Sequence, residues 1–232
     1  MEICRHLAMT RWEMENFTLP QGFSPAFLSW ERELSDLPER LPENTLLVLC
    51  DRFPFQNPAG IPEILDKANC AGILLDFQKP DREALIKALL RFFPKAAVSE
   101  PYAHLTEGPV FLPPCPPDKP LEAHIAPWKH REIWLDTAPE ILELTVTPTG
   151  CTPKSLQFPQ NPPCFTHESL HCRYKAEILP TEIRFTLWRD REMLEAHTQE
   201  AQSLGITKTV TLFQEWQPLH RTRIRKMMNS EC

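Results

Sequence analysis

A parallel (βα)8 barrel of the TIM type is the fold this sequence predicts, and three observations predict it. About eight or nine short apolar runs read as strands, and several are separated by stretches with helical spacing, the order expected of a mostly parallel sheet. The length of 232 residues suits one such barrel. An open doubly wound sheet built for a nucleotide needs a glycine-rich phosphate loop, and the six glycines form neither G-x-G-x-x-G nor G-x-x-x-x-G-K.

The elements follow in order. Ile3 to Met9 opens the chain as a first strand. Phe27, Trp30 and Leu34 then form a helical stripe after a cap at Ser24. Thr45 to Cys50 is continuously apolar, as a strand buried on both faces must be. A short helix is expected over Ile61 to Ala68, and Cys70 to Leu75 is the next buried strand. From Asp81 to Phe93, Leu85, Ala88, Leu89 and Phe92 recur at helical spacing behind a capping Asp81. Ala96 to Val98, Pro109 to Leu112, Glu132 to Leu135 and Ile141 to Val146 complete a run of shorter strands.

Beyond Gly150 the pattern changes. Leu170, Cys172, Tyr174, Ala176 and Ile178 alternate with polar residues, so this strand has one wet face. It reads as a β-hairpin insertion before the last two barrel units. Ile183 to Trp188, a helix from Asp190 to Leu204 stopped by Gly205, and a strand from Thr209 to Phe213 follow. Twenty-five prolines stiffen the loops, above all Pro113 to Pro117 and Pro148 to Pro163. Brief connections there predict an irregular or incomplete barrel. The domain reading is one barrel over 1–220 and a basic tail over 221–232.

Composition narrows the function classes. Apolar residues make up 42% and charged residues 24%, ordinary for a protein with a sizeable core. A net charge of −6 argues against nucleic acid as a partner, which calls for a basic face. No stretch approaches a membrane span, and Met1-Glu2-Ile3-Cys4-Arg5-His6 has no signal-peptide layout. Eight scattered cysteines without C-x-x-C read as reduced thiols, so a cytoplasmic location is expected. No cofactor motif is present.

A parallel barrel carries its chemistry at the C-terminal ends of its strands. Those ends supply Asp51, Asp76, Gln78, Glu100, Tyr102, Asp136, Glu215 and Trp216 as candidate ligand-binding residues. Most strand ends are polar merely because the chain meets water there. Asp76 differs, because it closes an apolar run where an acid is costly unless it is paired or used.

Ala71-Gly72-Ile73-Leu74-Leu75-Asp76-Phe77-Gln78-Lys79-Pro80 resembles the signature strand of the family-18 glycoside hydrolases, the chitinase-like barrels. The family pattern there is Asp-Gly-x-Asp-x-Asp-x-Glu. Arg184 to Asp190, a helix, Leu204-Gly205-Ile206 and a strand ending in Trp216 resemble that family's last two barrel units. The resemblance implies a sugar pocket floored by Trp216. It also exposes departures: Ala71 and Leu74 replace two acids, and Gln78 stands where the family carries its general-acid glutamate. A general acid must hold a titratable proton, and an amide has none to give.

Three functions follow from this. One is a non-catalytic barrel, a pseudo-enzyme, that binds a saccharide or other small molecule through Asp76 and Gln78, with Trp216, Trp12 or Trp188 stacking on the ring. Another is a hydrolase that uses Glu100, Asp136 or Glu215 as a carboxylate pair about 5–10 Å apart. The last is a protein-interaction scaffold with a vestigial pocket. His167 and His171, with Cys164 and Cys172 nearby, have metal-ligand residue types but no identifiable third ligand on a strand, so no metal is assigned. Cys115 lies between prolines with no basic neighbour to activate it and reads as inert.

Overall fold

The computed structural model describes residues 2–29, 41–51, 70–155 and 164–217, in two compact units. The first comprises Met1–Pro113, Pro127–Asp136 and Ile206–Phe213; the second comprises Pro114–Ala126, Thr137–Gly205 and the described residues from Gln214.

The first unit is a closed barrel of eight parallel strands. These are β1 (Cys4–Met9), β2 (Ser24–Ser29), β3 (Leu46–Cys50), β4 (Gly72–Asp76), β5 (Ala97–Ser99), β6 (Val110–Leu112), β7 (Ile133–Asp136) and, after a long insertion, β13 (Lys208–Leu212). β13 pairs with β7 on one side and β1 on the other, which closes the ring. The predicted TIM-type barrel is therefore the observed fold.

Alternation along these strands builds two apolar layers. Ala8, Ala26, Leu28, Leu46, Val48, Leu74, Ala97, Phe111, Trp134 and Val210 form one buried cluster, the filling of the barrel. Trp134 is its largest member, and Ala8, Ala26 and Ala97 on other strands of the ring are among its smallest. Gly72 belongs to the same packing: a Cβ there would lie 3.3 Å from Leu46 Cδ1 and 3.8 Å from the Trp134 ring. The intervening residues Phe27, Leu47, Leu49, Ile73, Leu75 and Val98 form the outer layer with Ile86 and Leu89. Those last two are the buried residues of α2 (Glu83–Phe92).

Among the described residues, helical segments follow β1, β4 and β5. After β1 comes α1 (Arg11–Asn16), started by a capping box in which Thr10 and Glu13 each satisfy the other's backbone N–H. The N-cap of α2 is Arg82, with no side-chain cap, so Asp81 does not cap it. Asp81 instead lies exposed beside Arg82 at 3.8 Å. Ser24 to Ser29 is a strand rather than the start of a helix. Pro25 forces its predecessor toward extended backbone, and the residue pattern serves a strand equally well: Ala26 and Leu28 turn inward, Phe27 outward. Trp30, Leu34, the helix expected at 61–68 and the tail 221–232 lie outside the described residues.

The second unit is a five-stranded antiparallel sheet in the order β10-β11-β12-β8-β9. Its strands are β8 (Ile141–Thr147), β9 (Gly150–Ser155), β10 (Phe165–His167), β11 (Cys172–Ile178) and β12 (Ile183–Trp188). The helices α3 (Leu121–Ile125) and α4 (Arg191–Ser203) belong to it. The insertion is thus a full sheet placed before the last barrel strand alone. Ile183 to Trp188, expected in the barrel, pairs antiparallel with β8 and β11. Its alternation Ile183, Phe185, Leu187 is that of a sheet with one wet face, as in β11. Ile141 to Val146 likewise joins this sheet.

The stiff loop expected from Pro148 is in fact a hairpin, with Thr147 facing Gly150 across its turn. Pro153 is tolerated because β9 is an edge strand, where a missing N–H costs no ladder bond. α4 starts as expected, with Asp190 accepting from Met193 N at 3.0 Å. It ends at Gly205, whose φ of +86° is the left-handed conformation that favours glycine.

Candidate functional site

The ends of β3, β4 and β5 converge on a polar cluster. Asp76 closes β4 with the inward parity of Leu74, and Ser99 closes β5 with the inward parity of Ala97. Asp76 Oδ1 accepts from Ser99 Oγ at 2.9 Å and from Gln78 Nε2 at 2.8 Å. Both of its hydrogen bonds among the described residues fall on Oδ1. Burial raises the Asp76 pKa above the ordinary carboxylate value. The bonds from Gln78 and Ser99 oppose that shift, and the charge of Asp51 adds to it.

Asp51 holds the loop after β4 from the end of β3. Its Oδ2 accepts from the backbone N–H groups of Gln78 at 2.7 Å and Lys79 at 2.9 Å, and its Oδ1 accepts from Arg82 Nε at 3.2 Å. Two backbone donors on one carboxylate fix the path of Gln78 and so aim its side chain at Asp76. Tyr102 reinforces the same loop. Its hydroxyl donates to the Lys79 carbonyl and accepts from Arg82 N, while its ring is buried in the outer layer.

The structure thus brings Asp51, Asp76, Gln78 and Tyr102 together, Tyr102 as a brace rather than a pocket wall. Glu100 follows β5 and accepts from Trp128 Nε1 at 3.1 Å. Asp136 closes β7 with the inward parity of Trp134. Glu215 and Trp216 belong to the second unit. The last strand ends at Leu212 and residues 213–217 are helical, so Trp216 does not stand at a strand end. The alternation of Thr209 to Leu212 stops at Phe213-Gln214-Glu215, which has no strand pattern to continue. Among the other tryptophans, Trp188 is buried, whereas Trp12 on α1 is 61% exposed.

Ser99, Arg82 and Trp128 complete the site without having stood out in the sequence. Ser99 was within reach, because counting inward positions from Ala97 lands on it. Arg82 and Trp128 reach partners far away in sequence and left no local signal. His167 and His171 are separated by a turn over Glu168–Leu170 rather than carried on one strand. His171 Nε2 lies 3.4 Å from Glu200 Oε2, and no metal-ligating group of three occurs among the described residues. Cys115 is buried, with its pKa pushed up to about 11 by that burial.

An apolar hollow of about 280 Å³ lies on the inserted sheet, lined by Leu144, His167, Tyr174, Phe185 and Leu187.

No protein-family model matches the chain, and no curated protein matches it. Two solved structures that are similar are the spore cortex-lytic enzyme SleL of Bacillus cereus and that of Bacillus megaterium QM B1551. The first is 11% identical over 94% of this chain and 73% of its own, with a TM-score of 0.46. The second is 10% identical over 90% and 70%, with a TM-score of 0.45. At such scores and identities the assignment of the fold rests on the strand pairing itself. No helix among the described residues is long and apolar enough to cross a membrane.

Proposed function

We propose that this chain is a non-catalytic barrel that binds a saccharide or a small polyhydroxylated molecule at the C-terminal ends of its strands. The hydrogen bond from Gln78 Nε2 to Asp76 Oδ1, 2.8 Å long, carries the reading. Gln78 occupies the position where the resembling glycosidases hold their general acid. Its amide supplies the same hydrogen bond to the neighbouring carboxylate that a protonated glutamate would, and it cannot pass a proton to a leaving oxygen. Asp76 Oδ2 and the Gln78 amide oxygen are acceptors suited to sugar hydroxyls. Trp12, exposed on the helix that follows β1, stands at the same end of the barrel and offers an apolar face for a ring. Asp51, Tyr102 and Ser99 hold this arrangement in place, while Glu100 and Asp136 are further polar groups at neighbouring strand ends.

The test combines binding with turnover. Chitooligosaccharides and a panel of aryl glycosides are titrated against wild type and Gln78→Glu by calorimetry, and hydrolysis is followed in parallel. The proposal expects saccharide binding by wild type without hydrolysis, weakened about tenfold or more by Asp76→Ala. Hydrolysis by wild type that is abolished on changing Glu100 or Asp136 would move the chemistry to other carboxylates and end the non-catalytic reading. Absence of both binding and hydrolysis, in wild type and Gln78→Glu alike, would end the carbohydrate reading altogether.

A further inference from the structure

The opposite end of the barrel carries a second set of reactive groups. Cys4 and His6 alternate on β1 with the inward parity of Ala8, and Ser24 stands on β2 with the inward parity of Ala26. Cys4 Sγ lies 3.3 Å from His6 Nε2 and 3.8 Å from Ser24 Oγ. The other ring nitrogen, His6 Nδ1, lies 3.4 Å from the Pro25 carbonyl oxygen. A carbonyl only accepts, so Nδ1 bears the hydrogen and Nε2 turns its lone pair toward the thiol. His6 is 4% exposed, which fixes the ring in this orientation.

Lys208 is the ladder partner of Cys4 on β13, and its ammonium sits 4.0 Å from the Trp134 ring centroid. Burial first, and the Lys208 charge with it, lower the His6 pKa against a smaller opposing effect of the Pro25 carbonyl. The imidazole therefore stays neutral, with the Nε2 lone pair available to the thiol. Cys4 itself is partly exposed. A thiol, a neutral acceptor nitrogen aimed at it, a hydroxyl beside it and a cation on the next strand have the composition of an activated nucleophile.

We propose that Cys4 is a base-assisted thiol nucleophile at the N-terminal end of the barrel that adds to small conjugated carbonyl compounds. In the step, a bond forms between Cys4 Sγ and the β-carbon of the electrophile, and the C=C π pair moves onto the carbonyl as an enolate. His6 Nε2 takes the thiol proton and delivers it to the α-carbon. The Ser24 hydroxyl donates to the sulfur while it is negative. Nothing leaves, nothing is oxidised, and the product is a thioether. Four other cysteines form an internal scale: Cys115 and Cys172 are buried with raised pKa values, whereas Cys151 and Cys164 are exposed and serve as reference thiols.

The test treats the full chain with limiting acrylamide at pH 7, quenches at intervals and maps the modified cysteines by mass spectrometry. Cys4 is expected to react at least about tenfold faster than Cys151 and Cys164 despite being less exposed, and to lose that advantage when the chain is unfolded in urea. A Cys4 rate equal to or below that of Cys151 overturns the proposal, as does an advantage that persists in urea. In His6→Gln the Cys4 rate is expected to fall about tenfold while the Cys151 rate stays constant. If that variant does not fold, the wild-type ratio of folded to unfolded rates decides alone.

Discussion

Ser99 donates its hydroxyl to Asp76 Oδ1 at 2.9 Å and so ties the ends of two adjacent barrel strands through one partly buried carboxylate. Burial outweighs the bonds from Gln78 and Ser99 and raises the Asp76 pKa. The folded state therefore holds this proton more tightly than the unfolded state does. By linkage, stability is fullest below the unfolded carboxylate pKa and is lost as pH rises through the elevated folded value. Asp76→Asn keeps an acceptor for both donors and removes the buried charge. Urea unfolding between pH 4 and 8 is expected to show a flatter pH profile for Asp76→Asn and a higher midpoint than wild type at pH 7. A lower midpoint at pH 7 would mean that the two hydrogen bonds outweigh desolvation.

His197 has the opposite sign. Burial, with Arg189, His171 and His124 adding to it, lowers its pKa to about 3. Glu200 Oε2, 3.8 Å from Nδ1, is too distant for a hydrogen bond and does not offset the burial. The unfolded chain binds this proton more readily, so stability is lost as pH falls from about 6.5 toward about 3. The loss amounts to at most about 5 kcal/mol. His197→Leu fills the same space without titrating and removes the unpartnered Nδ1. Its unfolding free energy is expected to fall less between pH 7 and pH 4 than that of wild type. An unchanged acid limb would assign the acid sensitivity to other groups.

Arg189, 3% exposed, donates to the carbonyl of Cys115, to that of Leu170 at 3.2 Å and to that of Pro116 at 3.4 Å. One planar fork thus gathers chain segments of the inserted unit that are distant in sequence. Arg189→Met leaves those carbonyls unpaired and is expected to cost about 3 kcal/mol in chemical denaturation. Arg189→Lys should recover little, since a single ammonium cannot span the same acceptors. A lysine variant as stable as wild type would show that charge alone suffices.

Gly72 has a packing reason to be small. Gly72→Val would push branched carbons against Leu46 and Trp134, whose nearest atoms already lie at 3.3 and 3.8 Å from a Cβ. A loss of about 1–3 kcal/mol is expected in thermal or urea unfolding. A neutral result would show that Trp134 can shift inside the barrel.

Much of this architecture is legible locally. Leu46–Cys50 and Ile73–Leu75 are apolar runs whose burial on both faces follows from composition alone, and Asp190 and Gly205 mark their helix ends by their own chemistry. Ser24 to Ser29 misleads because Phe27 opens a stripe with helical spacing, whereas Ala26, Phe27 and Leu28 also fit a strand that turns one of them outward. The inserted sheet was legible as an alternation but not in extent, because nothing in Ile183 to Trp188 names its partner strands. At the site, Asp76 and Gln78 stand out as polar residues at the end of a buried run. The grip of Asp51 on the next loop and of Ser99 on Asp76 needs the barrel closed before it exists.

The position of the inserted sheet also orders the assembly of the chain. β7 and β13 are neighbours in the ring, yet the whole span Thr137–Gly205 is made between them. During synthesis β1 emerges first and keeps one unpaired edge until Lys208–Leu212 arrives to pair with it. Joining the earliest strand to the latest is a contact of very high sequence separation, the kind that slows folding. Residues 4–8, which carry Cys4 and His6, therefore stay open to other edges longest, and a nascent chain stalled within the insertion would present a seven-stranded open sheet to its surroundings.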